Sequence, residues 1–272
     1  MSAADRMFVA ALCLARAGLK VDVEKSYLME SRLAPVARRE GYSSAHEFVA
    51  ALRDRGEERQ GWAAVEAMAV PECEFFRDRG MFHALAGSVL PALAQARAGE
   101  TVRVWSAACG GGQEIYSLAM MLADAPPLAA KVELFASDLS ERSLEKAQAG
   151  LYSQFEVQCG LPARMLVRHF EKQGEAFALS PRIRQMVRWR RVNLLDDLSR
   201  VGQFELILCR NLLGQLAPEA QGRITASLRR ALAPGGRLAV GGRDPVDPQL
   251  APIRPELGLY AAEADTPRSA AA

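Results

Sequence analysis

At 272 residues, 50% of them apolar, the chain is long enough to bury a full α/β core and one smaller accessory domain. A formal net charge of +2 excludes a general electrostatic case for nucleic acid. Arg182, Arg184, Arg188, Arg190 and Arg191 do cluster, as a solvated strand face and its turn would. Five cysteines (Cys13, Cys73, Cys109, Cys159, Cys209) are odd in number, widely spaced and free of any C-x-x-C, which argues for reduced thiols, a cytoplasmic setting and no bound metal.

The run Phe8 to Ala15 imitates the core of an export signal. Asp5 precedes it, Arg16 interrupts it and the helical period continues to Leu19, so neither export nor membrane insertion is expected. A first helix is expected with Met7, Ala11, Leu12 and Ala15 on one face and its end at Gly18. A second, roughly residues 24 to 40, has Leu28, Met29, Leu33, Val36 and Ala37 as its apolar face and leaves Lys25, Arg32, Arg38 and Arg39 mostly outside. Gly41-Tyr42-Ser43-Ser44 stops it, and Ser44 is placed to cap a third helix with Glu47 at the capping-box position. After a further helix around 62 to 68 comes Val70-Pro71-Glu72-Cys73-Glu74-Phe75-Phe76-Arg77, which Pro71 keeps from being one uninterrupted helix. Residues 1–68 are thus expected as a helical domain, and 69–100 as a linker with a connecting helix.

From Thr101 strand and helix alternate. The expected strands are Val102 to Ala107, Val132 to Ala136, Met186 to Val192, Phe204 to Cys209 and Arg237 to Gly241. The expected helices run from about Gln113 to Asp124, Ser140 to Ala149 and Pro218 to Ala231, the last leaving through Pro234-Gly235-Gly236. Such alternation implies an α/β domain, residues 101–264, with a mostly parallel sheet covered on both faces and a ligand at the carboxyl ends of the strands. The interval 151–181 is too long for an ordinary connection and reads as a small inserted subdomain. Residues 265–272 read as a disordered tail.

The segment VRVWSAACGGGQEIY, Val102 to Tyr116, is a buried strand running into a small-residue loop and then a helix N-terminus, while the second strand ends on Ser137-Asp138. The loop is not G-x-G-x-x-G. It closes on Glu114, where a pyrophosphate would need uncompensated N–H groups. Two carboxylates, Glu114 and Asp138, suit S-adenosylmethionine, which brings a ribose, a sulfonium and an ammonium but no phosphate. Asp138 equally suits an N-cap for the next helix, and Asn193 and Asn211 suit the satisfaction of loop backbone. Trp105 and Tyr116 read as core, and His83 and His169, in apolar helical contexts, as structural.

The helical start is followed in order by E-F-F-R at Glu74 to Arg77, W-S-A-A-C-G-G-G-Q-E-I-Y-S at Trp105 to Ser117 and A-S-D at Ala136 to Asp138. A-G-L-Y at Ala149 to Tyr152, V-N-L-L at Val192 to Leu195 and L-C-R-N at Leu208 to Asn211 come after them. In that series the chain resembles the CheR-type chemotaxis protein-glutamate O-methyltransferases over nearly its whole length. The resemblance implies a Rossmann-like S-adenosylmethionine-dependent methyltransferase domain carrying a small β-subdomain, behind an N-terminal all-helical domain. It implies methyl transfer to glutamate side chains on the cytoplasmic helices of chemoreceptors, with S-adenosylhomocysteine as product. The expected setting is a cytoplasmic monomer with no nucleic-acid partner.

By the same resemblance Ala108 belongs to the cofactor loop, Glu114 faces the methionyl part and Asp138 the ribose. Asn193 and Leu194 lie near the adenine, Arg210 and Asn211 close the strand end beneath the cofactor, and the helical domain docks on receptor helices with its basic face. Glutamate is anionic near neutral pH, so it attacks a methyl group without a general base. Arg77 is then the candidate catalytic residue, because a guanidinium offers two parallel donors to the incoming carboxylate. Some positions depart from the family pattern: Pro71 and Cys73 replace an Asn and a Thr that contact the cofactor, and Gln215 replaces an active-site Tyr. Gln113 replaces the first of two acids, and Gly241-Gly242-Arg243-Asp244 a G-H-S-E. These leave open a second reading, a degenerate member acting as a binding or regulatory module in a signalling pathway. The single turn around Gln173-Gly174 implies too little strand edge to grip a receptor's C-terminal peptide.

Overall fold

The computed structural model describes residues 1–97 and 99–262. The expected tail, 265–272, lies outside the described residues, as do 263 and 264. The chain divides into two compact units, one made of Met1–Val70, Asn193–Leu195 and Gln215–Ile224, the other of Pro71–Val192, Asp196–Gly214 and Thr225 onward.

In the first unit α1 (Ala3–Ala17) starts on a capping box between Ser2 and Asp5 and ends at Gly18 in the left-handed region. Its buried stripe is Asp5, Val9, Cys13 and Ala17, whereas Met7 is 66% exposed, so the face expected from Met7, Ala11, Leu12 and Ala15 is the wrong one. The run from Phe8 to Leu14 is apolar all round and carries no usable period. Asp5 decides the orientation: its carboxylate meets His46 Nδ1 at 2.7 Å and accepts from Arg53 at 3.2 Å, both in the helix Ala45–Arg55. Against burial, which raises it, hydrogen bonds from Ser2, His46 and Arg53 hold its pKa at about 2.

Helix α2 (Ser26–Arg39) buries Met29, Leu33, Val36 and Ala37 of the expected face, leaves Leu28 half-buried and carries Pro35 within it. Arg32 is half-buried and donates to the Met68 carbonyl at 3.4 Å. In α3 (Ala45–Arg55) Ser44 accepts from Glu47 N at 3.1 Å, but the Glu47 carboxylate returns to Ser43 N at 2.9 Å, so the capping box closes one residue early. Helix α4 (Glu58–Met68) starts before the expected Trp62. The distant segment Gln215–Ile224 joins this unit through an antiparallel bridge between Leu19 and Leu216, flanked by Lys20 N to Gln215 O at 2.9 Å and Ala217 N to Gly18 O at 2.8 Å.

The second unit opens with α5 (Arg79–Ala84), a π-helical turn (Leu85–Val89) and α6 (Leu90–Ala96). Then follow β1 (Val102–Ala107), α7 (Gln113–Ala123), α8 (Pro126–Ala129), β2 (Val132–Asp138) and α9 (Glu141–Ala149). The interval that breaks the alternation holds β3 (Leu151–Ser153), α10 (Gln154–Gln158), α11 (Ala163–His169), β4 (Phe170–Gln173), β5 (Ala176–Leu179) and α12 (Pro181–Arg184). The chain closes with β6 (Val187–Arg191), β7 (Phe204–Cys209), α13 (Pro218–Ala231), β8 (Leu232–Val240), β9 (Ala251–Arg254) and β10 (Leu259–Ala261).

The main sheet has the order β6-β2-β1-β7-β8-β10-β9, parallel except where β10 pairs with β8 and β9. This is the mostly parallel sheet expected. β8 begins at Leu232 rather than Arg237: Leu232 pairs with Phe204, the expected Pro-Gly-Gly turn loops out, and pairing resumes at Leu206 with Arg237. A second, antiparallel sheet has the order β3-β5-β4. Trp105 and Tyr116 are fully buried, with the indole donating to Ser137 Oγ at 2.9 Å and the phenol to Ala147 O at 2.7 Å. His169 is buried beside Asp124, and burial lowers its pKa, whereas His83 is exposed on α5.

Candidate cofactor and carboxylate site

From β1 the chain runs outward through β2 to β6, then returns to β7 and β8, so the strand order reverses between β1 and β7. A ligand crevice is expected outside the carboxyl ends at that point. The backbone is strained there. The non-glycine residues at positive φ among those described are Phe76 (49°), Asp78 (58°), Ala108 (58°) and Asn211 (57°), all on the linker or at the ends of β1 and β7. Each costs on the order of 1–2 kcal/mol in that conformation, and such strain collects at functional sites.

After β1, Ala108 turns the chain, Cys109 N donates to Ser137 O at 2.9 Å, and Gly110 N donates to Asp138 Oδ2 at 2.8 Å. Gly112, at φ 85°, is the N-cap position of α7, and a Cβ there would lie 3.0 Å from Ala147 and Trp189. A Cβ on Gly110 would come within 2.7 Å of Pro71 Cβ and 3.2 Å of Cys73 Cβ. The linker is therefore pressed onto the loop. Cys73 Sγ donates to Cys109 O at 3.3 Å, Phe76 N donates to Ser117 Oγ at 2.9 Å, and the Phe75 carbonyl lies where a side chain on Gly160 would begin.

Glu114, in the first turn of α7, is buried and ion-paired with Arg210 at the end of β7. Arg210 also pairs with Asp78 and reaches the Arg77 carbonyl at 3.5 Å. Burial pushes the Glu114 pKa up to about 7, with Arg210 and then Arg77 opposing the shift. Beside it Gln113 Oε1 is buried without a hydrogen-bond partner among the described residues. An unsatisfied carbonyl oxygen next to a desolvated carboxylate favours an ammonium or sulfonium and disfavours a phosphate. Those residues fit S-adenosylmethionine.

Asp138 holds Gly110 N on one oxygen and Ser140 N, at 2.9 Å, on the other. The cap of α9 is Ser140, not Asp138. Asn193 donates to Arg16 O at 2.7 Å and accepts from Leu195 N at 3.1 Å, so its amide satisfies loop backbone, and it groups with the buried Leu194 in the helical unit. The structure thus brings Arg77, Ala108, Glu114, Asp138, Arg210 and Asn211 into one unit and assigns Asn193 and Leu194 to the other.

Sequence reading missed Asp244. Its buried carboxylate accepts from Asn211 N (2.5 Å), Gly241 N (2.9 Å) and Gly214 N (3.2 Å), tying the ends of β7 and β8 together. The available signal was an acid three residues beyond a Gly at a strand end. A cleft of about 450 Å³ opens beside the loop, with Glu72, Arg77, Gln113, Lys146, Phe155 and Arg243 in its wall. Of the expected set only Arg77 lines it. The guanidinium of Arg77 donates to the Glu72 carbonyl at 3.3 Å and to its carboxylate at 3.2 Å.

Residues 71–253 match the family described as CheR methyltransferase, SAM binding domain. Chemotaxis protein methyltransferase 1 of Pseudomonas aeruginosa is 36% identical over 87% of this chain and 86% of that protein. Chemotaxis protein methyltransferase Cher2 of Pseudomonas putida is 32% identical over the same shares. Among solved structures, PKMT2 from Rickettsia typhi is 18% identical with a TM-score of 0.38, over 62% of this chain and 26% of that one. The chain belongs to the CheR methyltransferase family: it is an S-adenosylmethionine-dependent methyltransferase. Among the described residues no helix is long and apolar enough to cross a membrane.

Proposed function

We propose that the protein transfers the methyl group of S-adenosylmethionine to glutamate side chains on the cytoplasmic helices of chemoreceptors, acting in the cytoplasm as a monomeric enzyme of sensory adaptation. The observation that carries this reading is that Arg77, on the linker pressed against the cofactor loop, already holds a carboxylate in a cleft that the loop residues Gly111 and Gln113 help to line. The relatives' chemotaxis names support the receptor as substrate.

When bound, the cofactor supplies an electrophilic methyl group on sulfur. Arg77 orients the incoming carboxylate, which is anionic at neutral pH and needs no base; neither His83 nor His169 lines the cleft. Gln113 and Glu114 present acceptors to the cofactor's cationic end, and Arg210 keeps Glu114 in place. Asp138 offers its carboxylate to the ribose while fixing the loop through Gly110. Ala108 and Asn211 turn the chain at the ends of β1 and β7 by their left-handed backbone. Receptor contact falls to the basic residues of α2, since the edge strands β3 and β4 are three and four residues long.

A regulatory module that binds the cofactor without turnover is favoured by one observation. At Pro71 and Cys73 the linker offers the cofactor little, because the Cys73 thiol, pushed up to about 12 by burial, donates to Cys109 O. Calorimetric titration with S-adenosylmethionine followed by tritiated methyl transfer to receptor-rich membranes decides the matter. Alkali-labile incorporation is expected. Cofactor binding with no transfer to any receptor preparation would leave the regulatory reading in its place.

A further inference from the structure

We propose that Arg243 is the second cation of the subsite for the methyl-accepting carboxylate, and that Glu72 fills that subsite until a substrate glutamate displaces it. The inference deepens the methyl-transfer reading above and rests on it. Glu72 Oε2 accepts from Arg77 Nη2 at 3.2 Å and from Arg243 Nη2 at 3.0 Å, so two guanidiniums from segments far apart in sequence converge on one oxygen. All three side chains line the cleft that Gly111 and Gln113 help to wall.

The two arginines are unequal. Arg77 is nearly enclosed, its side chain 17% exposed and its second nitrogen anchored on the Glu72 carbonyl, whereas the Arg243 side chain is 77% exposed. Arg243 therefore swings on a fixed base, because the neighbouring Asp244 clamps the backbone of Gly241, Asn211 and Gly214. Its partner Glu72 is 45% exposed. Ion pairs that open to solvent are worth little, so Glu72 is an exchangeable occupant. A substrate carboxylate that takes its place gains the same two donors.

In the transfer itself a carboxylate oxygen forms a bond to the methyl carbon while the carbon–sulfur bond breaks, and its electron pair stays on sulfur. No proton moves. The product is a neutral ester, a weaker acceptor for guanidinium, so Glu72 regains both arginines and the ester is released. Glutamine is neutral from the start and cannot compete with Glu72, which gives the site its preference for the acid over the amide.

The test uses the full chain and three variants, Glu72→Gln, Arg243→Gln and Arg243→Lys, with methyl transfer to receptor-rich membranes as one readout. The other readout is NMR-detected binding of N-acetylglutamate α-amide, with N-acetylglutamine α-amide as control. Glu72→Gln is expected to lower KM for the receptor by about threefold at similar kcat, and to tighten binding of the acid probe but not the amide. Arg243→Gln is expected to raise KM about tenfold with cofactor affinity unchanged, and Arg243→Lys to restore part of the loss. Acid-probe binding that is the same in wild type, Glu72→Gln and Arg243→Gln overturns the subsite, even where methyl transfer is intact. Acid-probe binding that follows the variants while no receptor is methylated upholds the subsite and defeats the methyl-transfer reading instead.

Discussion

Gly110→Ala tests how tightly the linker is pressed onto the cofactor loop. Gly110 sits at φ 54°, and an added Cβ would stand 2.7 Å from Pro71 Cβ and 3.2 Å from Cys73 Cβ, neither of which is the far end of a flexible side chain. The left-handed backbone alone costs an alanine about 1–2 kcal/mol. Overpacking against a fixed neighbour adds about 1–3 kcal/mol, for a total of about 2–5 kcal/mol. Gly174 provides the control: it has φ 58° but nothing within 4 Å of its Cβ position, so Gly174→Ala carries the backbone cost alone. Urea denaturation of both variants isolates the clash as their difference, and adding Pro71→Gly to Gly110→Ala is expected to recover most of it. Equal destabilisation by Gly110→Ala and Gly174→Ala would show that the linker yields freely and does not brace the loop.

Asp138→Ala is expected to weaken cofactor affinity strongly and to cost about 1–3 kcal/mol of stability, since two backbone N–H groups lose their acceptor; calorimetry and thermal melts in parallel check both. For Glu114, the folded protein holds a proton between about pH 4.5 and 7 that the unfolded chain has released, so this group makes stability fall as pH rises through that window, by up to about 3 kcal/mol. The slope should disappear in Glu114→Gln, and identical pH profiles in the two proteins would refute the assignment. At α2, Lys25 just before the helix pairs with Asp22, Arg39 with Glu40, and Arg32 is tied to Met68, so Arg38→Glu is expected to give the largest salt-dependent loss of receptor binding with cofactor affinity intact. A charge reversal at Arg38 that shifts cofactor affinity and spares receptor association would remove the docking role.

The strands that carry the candidate site were legible because each is mostly apolar, β7 being buried throughout at Phe204–Cys209 while β1 and β2 are interrupted by Arg103 and by the exposed Glu133. β9 and β10 were not: Ala251–Arg254 contains Pro252, and Leu259–Ala261 has three residues, so neither shows a period. The face of α1 failed for the opposite reason, too many apolar residues, and a buried acid chose between faces. At the candidate site, the places of Glu114 in the first turn of α7 and of Asp138 at the end of β2 could be read because strand ends and loop acids are local patterns. The placement of Asn193 on Arg16, 177 residues away, and the meeting of Glu72 with Arg243, 171 residues away, depend on chain reversals that leave no local trace.

Phe76, Asp78, Ala108 and Asn211 hold left-handed backbone without being glycine. Glycine at any of them would relax the conformation, so a search for thermal robustness by random substitution would be drawn to these positions first. Yet two of the same side chains are engaged, Asp78 with Arg210 and Phe76 against Phe82. On the proposed function the shortest route to a tougher protein runs through residues of the candidate site, so the hardiest variants should be sought among those that have lost activity.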